Sequence, residues 1–538
     1  MKKLKKLTTI FLLSCLLVSI LAGCSNGNSD SSEKSKNTIT IGVAADIGHM
    51  NPHLSSGVKI YAQNLIYEGL LGYNSDGTIE KVLAEDYHIS DDGKRLTFNI
   101  RKGVKYSDGS DLNAKSVLRN YQAVLDHKEN HTWLGLLNHI TKMDTPDDYT
   151  FVITLDESYY PAIQEISNYR PLRMLADAGF PDGDDTSEKV EKTIGTGKWV
   201  LADYKENEYA KFEVNENYWG EKPKIDGFTL KVMPDSESTT SALEAGEIDM
   251  IYDMYGSTIM SIDSYEYLGE NGFNTFISDP TITRLLLMNT GSENLSDIKV
   301  RQAIAIGLDR ETLAENVFKE TEKVANSMFK TTTPYCNVKY KSNYDYDIEK
   351  AKKLLDEAGW KLAEGDTYRK KDGKELEINL YYDGSDSVKA SMSQIAQSLY
   401  EKLGVKLNIQ AEETSAAYDR MYTTDWDMIY YTGWGEPYDP HSTLMNLGSE
   451  GSALYNARLG IKDGDKQYKM LLDAVSSDDE DERVKLYSDL LNDLQSEYFY
   501  IPLTGMTNKA ACASNITGVE FNTGFDMILD NVEVTDNK

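Results

Sequence analysis

Cysteine is nearly missing from this chain of 538 residues: there are four, at 15, 24, 336 and 512. Their spacing fits neither a disulfide framework nor a thiolate metal centre, so Cys336 and Cys512 are expected to be free structural thiols. Histidine is also scarce, with seven residues. Positive charge is in deficit, 56 Lys and Arg against 87 Asp and Glu for a net charge of −31. Such a surface repels nucleic acid. Beyond residue 22 no apolar run approaches the ~20 residues needed to cross a bilayer. Catalytic signatures are absent as well. There is no His-Glu-x-x-His, no Gly-x-Ser-x-Gly, no Walker loop and no paired-carboxylate pattern, which argues against an enzyme and leaves a secreted hydrolase as the remaining reading of that class. The glycine-rich Gly195-Thr-Gly-Lys198-Trp199 lacks phosphate-loop spacing and reads as a strand-entry turn.

What is present begins with a basic segment, Met1-Lys-Lys-Leu-Lys-Lys-Leu7, and an apolar run from Thr8 to Ala22. The run is too short for an ordinary transmembrane helix and reads as an export signal over residues 1–23. It ends in Leu21-Ala22-Gly23-Cys24, which resembles the lipobox of bacterial lipoproteins. That resemblance implies cleavage before Cys24 and a diacylglycerol on its thiol. Acyl chains (palmitate, for instance) contribute about 0.8 kcal/mol per buried methylene, so the protein is expected to be lipid-anchored on the outer face of the cell membrane. Four lysines and no acid leave with the leader, taking the charge from −31 to −35. Residues 25–36 contain no apolar side chain, and 24–37 read as a flexible tether. The ~500 residues that follow exceed one core and imply two or three domains.

Thr38–Val43 alternates as a first strand. Leu96, Phe98 and Ile100 alternate in another, 149–155 form a third, and 113–126 have the pattern of a helix. From Asp279-Pro280 onward strands and helices take turns. Strands are expected at 376–380, 405–410 and 427–432. Helical faces are formed by Ile348, Ala351, Leu354, Leu355 and Ala358, and by Val388, Met392, Ile395, Leu399 and Leu403, each closed by a glycine. A sheet covered by helices follows. After Pro502 the chain is expected to return to the first domain, with domains at 38–280, 281–504 and 505–538.

Asp427–His441 starts as a strand and breaks into a Gly/Pro loop, Gly433-Trp434-Gly-Glu-Pro-Tyr438-Asp-Pro440. Two readings stand open: one wall of a cleft, with Trp434 and Tyr438 held exposed by Gly435, Pro437 and Pro440, or a rigid loop whose aromatics sit in the core.

Asn51-Pro52-His53, Lys102-Gly-Val-Lys-Tyr-Ser-Asp-Gly109, Asn217-Tyr-Trp-Gly220, Ala245-Gly-Glu-Ile-Asp249 and Val300-Arg-Gln-Ala303 together resemble the extracytoplasmic solute-binding proteins of peptide/nickel ABC importers. His131-Thr-Trp133-Leu134, Arg170-Pro171, Asn215–Pro223 and Trp434–His441 look most like the nickel-binding branch. The resemblance implies an α/β, two-lobed, periplasmic-binding-protein-like fold (type II, Venus flytrap) with an extra subdomain in lobe I, at about 80–195. It also implies capture of nickel as a small organic chelate, such as a nickel–histidine complex, for delivery to an ABC permease and its ATPase subunits. An opine-type metallophore complex or a short oligopeptide is the alternative cargo. No permanent cofactor is implied, and a monomer is expected.

The ligand-binding residues so implied are Arg170, Trp133, Trp434, Tyr438, Asn130, Arg173 and Ile60. Arg170 would meet ligand carboxylates through its guanidinium fork. The two tryptophans would sandwich flat rings while Tyr438 donates a hydrogen bond. Asn130 stands where nickel-binding relatives can carry a second arginine. Peptide-binding relatives hold the substrate's amino terminus with an Asp at the position of Pro437, and the neighbouring Glu436 is the candidate substitute. His49, in the loop leaving the first strand, and His131, two residues from Trp133, are the candidate metal ligands. His127 and His131 have i,i+4 spacing but lie at a fraying helix end. His53 and His441 each neighbour a proline and read as structural.

Overall fold

The computed structural model describes residues 37–54, 59–254, 259–522, 524 and 526–535; the leader, Cys24 and all of the tether but Asn37 lie outside them. Thr38–Lys538 forms one compact unit. Among the described residues no helix is long and apolar enough to cross a membrane.

Two large sheets define two lobes. In the first, seven strands run in the order 274–277, 509–512, 250–253, 38–43, 227–232, 209–214 and 199–205. Thr38–Val43 sits inside it, parallel to both neighbours. Its alternating Ile39, Ile41 and Val43 are buried, while Thr38 is exposed and Thr40 half-buried. The second sheet has five strands, ordered 406–412, 377–383, 428–432, 282–288 and 500–506. Glu377–Asp383 and Lys406–Glu412 are parallel and joined by the helix Ser387–Leu403. The Asp386 side chain caps that helix by accepting from Lys389 N, and Gly404, at φ 78°, ends it. Asp297, Asp309 and Asp347 cap three further helices in the same way, which accounts for some of the chain's acid without any role in binding.

A four-stranded antiparallel module, ordered 84–89, 95–100, 150–155 and 140–147, is inserted between the first-lobe strands at 38–43 and 199–205. Leu96, Phe98 and Ile100 turn inward and pack with the helix Ala114–Leu125. The module's core continues into the second lobe, whereas the seven-stranded sheet has its own. At the junction Tyr160 donates to the Tyr487 hydroxyl at 2.7 Å, and Tyr335 stacks on Tyr487. Cys336 and Cys512 are buried, free thiols.

The chain crosses between the two large sheets twice, at 278–281 and at 507–508. The crossings lie side by side: Ser278 N donates to Asn508 O at 2.9 Å, Asn508 N to Ser278 Oγ at 2.8 Å, and Thr281 N to Met506 O at 2.7 Å. The second crossing falls later than the expected boundary at 504–505, because the edge strand keeps pairing with Ile282–Met288 through Met506.

Candidate ligand cleft

Trp133 follows a short 3-10 turn, Lys128–His131, that leaves the Ala114–Leu125 helix. Arg170 lies just past the helix Ala162–Ile166. Trp434 and Tyr438 come from the second lobe, beyond the strand Met428–Thr432. Gly435 sits at φ 77°, and a Cβ there would lie 2.7 Å from Ile282 Cδ1, so only glycine fits. The turn is held by Asp439, whose carboxylate accepts from Gly435 N at 3.0 Å and from the Thr443 hydroxyl, which in turn accepts from Trp434 N at 3.0 Å. Burial pushes the Asp439 carboxyl up to about 7 against these donors. From the first lobe, the Gln164 amide donates to the carbonyls of Pro437 and Asp439.

These segments enclose a cleft of about 1090 Å³ between the lobes, lined by Ile60, Trp133, Arg170, Trp434 and Tyr438 among others. The three rings form one cluster, with Trp133 6.0 Å from Trp434 and 5.5 Å from Tyr438. The indole planes meet at 68°. The expected sandwich is therefore not the arrangement found. A flat ligand between two faces needs about 7 Å, twice the ~3.5 Å optimal carbon separation, and parallel planes. The indoles instead make a corner that offers two walls at once.

Among the described residues the cleft's charged lining is wholly cationic: Lys59, Arg170, Arg284 and Lys389, with no carboxylate. In a chain carrying 87 acids this is a marked segregation. Arg284 already forms a fork with Glu322 at 2.9 Å, and Lys389 lies 3.1 Å from Asp386. Arg170 and Arg173 act electrostatically on the Tyr438 hydroxyl and pull against the burial that raises its pKa.

Other sequence candidates fall elsewhere. Tyr438 is buried at 4% exposure yet lines the cleft, so the loop presents it as part of a wall and combines features of both readings of the sequence. Arg173 is buried behind the cleft, and its Nε donates to Tyr169 O at 2.8 Å, fixing the backbone that carries Arg170. Asn130 is exposed and does not line the cleft. Neither does His49, an exposed residue whose Nδ1 accepts from Asn51 N. His131 is buried, edge-on behind Trp133, and burial lowers its pKa to about 4. His127 faces Asp185 at 3.0 Å, because the 3-10 turn rotates it away from His131. His53 is a buried structural ring between Asn120 Oδ1 (2.8 Å) and Thr186 Oγ1 (2.9 Å). Among the described residues no three His, Cys, Asp or Glu side chains are grouped to hold a metal ion. Glu436 points away from the cleft, buried at 1% exposure, bonded to Lys330 Nζ at 3.1 Å and to the Thr333 hydroxyl at 2.8 Å. It is not available to a peptide's amino terminus. Sequence reasoning missed Lys59, Arg284, Lys389, Tyr418, Met421 and Tyr422, which also line the cleft.

Two lobes joined by paired crossings, with a cationic aromatic cleft between them, define a binding protein for small solutes. The chain belongs to the bacterial extracellular solute-binding proteins, family 5, whose model matches residues 78–454. It is 35% identical over 467 residues to the nickel-binding periplasmic protein of Escherichia coli (strain K12), covering 87% of this chain and 88% of that one. The crystal structure of NikA from Brucella suis in complex with Fe(III)-EDTA superposes with a TM-score of 0.89 at 36% identity, over 93% of this chain and all of that one. NikZ from Campylobacter jejuni in complex with Ni(L-His) gives a TM-score of 0.75 at 25% identity, over 92% of this chain and 100% of that one.

Proposed function

We propose that this protein is the substrate-binding component of an ABC importer, taking up nickel as a small organic chelate in the cleft and delivering it to the membrane permease, which an ATPase drives. The observation that carries the reading is the cleft's lining: cations and aromatic rings with no carboxylate. Such a surface favours a ligand with anionic and apolar parts and offers no carboxylate to pair with a peptide's α-ammonium. The relatives named for nickel, and the one solved with Ni(L-His), support the metal.

In this reading Arg170 takes a ligand carboxylate, Trp133 and Trp434 pack on its apolar edges, Tyr438 hydrogen-bonds it, and Ile60 closes one side. Arg173 holds the Arg170 loop from behind. The chelator, not the protein's imidazoles, supplies the metal's ligands. Closure of the lobes about 278–281 and 507–508 signals the loaded state, which requires tighter binding to the closed form. Cys24 carries the lipid anchor, which mass spectrometry of the mature amino terminus tests directly. Calorimetry with nickel alone, nickel with L-histidine, and a mixture of di- to hexapeptides tests the cargo. Binding is expected with the histidine complex, and binding of peptides without metal overturns the reading.

A further inference from the structure

The cleft is longer than the corner built by Trp133, Arg170, Trp434 and Tyr438. Its volume of about 1090 Å³ lies just above the range for drug-sized ligands, roughly 300–1,000 Å³. One metal ion with one or two amino acids is much smaller than that. The same cleft is also lined by the helix Thr414–Arg420 and its exit, through Tyr418, Met421 and Tyr422, and by Met254 and Tyr252 of the other lobe.

This helix buries none of its residues. It is fastened to the sheet by a polar tie: the Arg420 guanidinium forks onto Glu412 and stacks 4.0 Å over the Tyr381 ring. Its apolar side chains are therefore not needed to hold it. Tyr418 and Tyr422 are 59% and 53% exposed, the two most exposed large apolar side chains among the described residues. Their rings pack edge-to-face at 5.5 Å and their hydroxyls are 3.2 Å apart, so they form one preformed apolar step. Scattered exposed aromatics need no explanation; a pair lying on the lining of a ligand cleft does.

We infer that the Tyr418–Tyr422 step is a second subsite, which takes an apolar or aromatic arm of the chelator while its metal-bound carboxylate head sits at Arg170. The cargo class is then a carboxylate-bearing metal chelate with an apolar arm. This inference rests on the nickel-chelate reading above. Methionine from each lobe, Met421 and Met254, suits an arm of variable shape, since the unbranched thioether repacks easily.

The test compares the nickel complexes of N-methyliminodiacetate and N-benzyliminodiacetate, which share metal and donor atoms and differ by a phenyl ring. Affinities are measured by calorimetry on the full chain and on Tyr418→Ser/Tyr422→Ser, whose exposed positions leave the fold intact. The benzyl complex is expected to bind the natural protein at least tenfold more tightly than the methyl complex, and the advantage to fall below threefold in the double variant. A smaller advantage in the natural protein, or one that stays above threefold in the variant, overturns the inference and leaves the nickel-chelate reading standing. If neither complex binds, and nickel with L-histidine does not either, that reading falls and the second subsite with it.

Discussion

Removing the guanidinium of Arg170 is the sharpest perturbation of the cleft. The side chain is half-buried, next to a buried Tyr438, on a backbone fixed by Arg173. A carboxylate docked on its fork gains two charge-assisted hydrogen bonds of about 1.5–3 kcal/mol each. At ~4 Å and an effective dielectric constant of ~20 the Coulomb attraction is about 4 kcal/mol. These overlap, and desolvation of both ions offsets part of them. The net loss expected for Arg170→Ala is about 2–5 kcal/mol, or roughly 30- to 5,000-fold in Kd. Calorimetric titration with nickel and L-histidine reads it. Lys389→Ala is the control: that ammonium lines the same cleft but already lies 3.1 Å from Asp386, so its removal is expected to cost less than about 1 kcal/mol. A loss below tenfold for Arg170→Ala, or an equal loss for Lys389→Ala, would refute the assignment of the anion to Arg170.

Trp133→Ala and Trp434→Ala should each weaken chelate binding while the melting temperature moves by only a few degrees, because each aromatic pair broken is worth about 0.5–1.5 kcal/mol; a collapsed melting curve would instead make the cluster a core. Glu436→Ala should destabilise the fold by about 3–5 kcal/mol, since it strands the mostly buried Lys330, and leave chelate affinity unchanged, as denaturant unfolding and calorimetry together can check. Burial lowers the His53 pKa to about 4 from 6.5, so the unfolded chain takes up a proton that the folded ring refuses. Its contribution is complete above pH ~6.5 and is lost as pH falls toward 4, to a total of roughly 3 kcal/mol. His53→Gln should therefore lose less stability between pH 7 and 4.5 than the natural protein, and an identical loss counts against the assignment.

Much of the architecture was legible where one local rule dominated. Strict alternation in Arg95–Ile100 and the glycine after the Ser387–Leu403 helix announce themselves in any short window. The cleft was legible only through family motifs, because Trp133, Arg170 and Trp434 meet across hundreds of residues and no periodicity links them. His131 is buried edge-on against Trp133 and beside His53, a neighbour far off in the chain, and that burial leaves no mark in the local sequence. Glu436 misled for a different reason: the turn at Gly435 sends Trp434 toward the cleft and its neighbour but one into Lys330. Tyr418 and Tyr422 gave no signal at all, since they sit on and just beyond a seven-residue helix with no buried face.

The two adjoining crossings at 278–281 and 507–508 behave as a short ribbon, stitched by Ser278 and Asn508, and a ribbon bends more readily than it shears. Grip and stiffness are thereby tied together. A substitution such as Ser278→Ala, which removes the hydroxyl that accepts from Asn508 N, would reset how often the jaws stand open, and each tenfold bias toward gaping would loosen the apparent hold by as much as tenfold. The tightness with which this receptor carries its load is thus written partly into a few backbone links that never touch it.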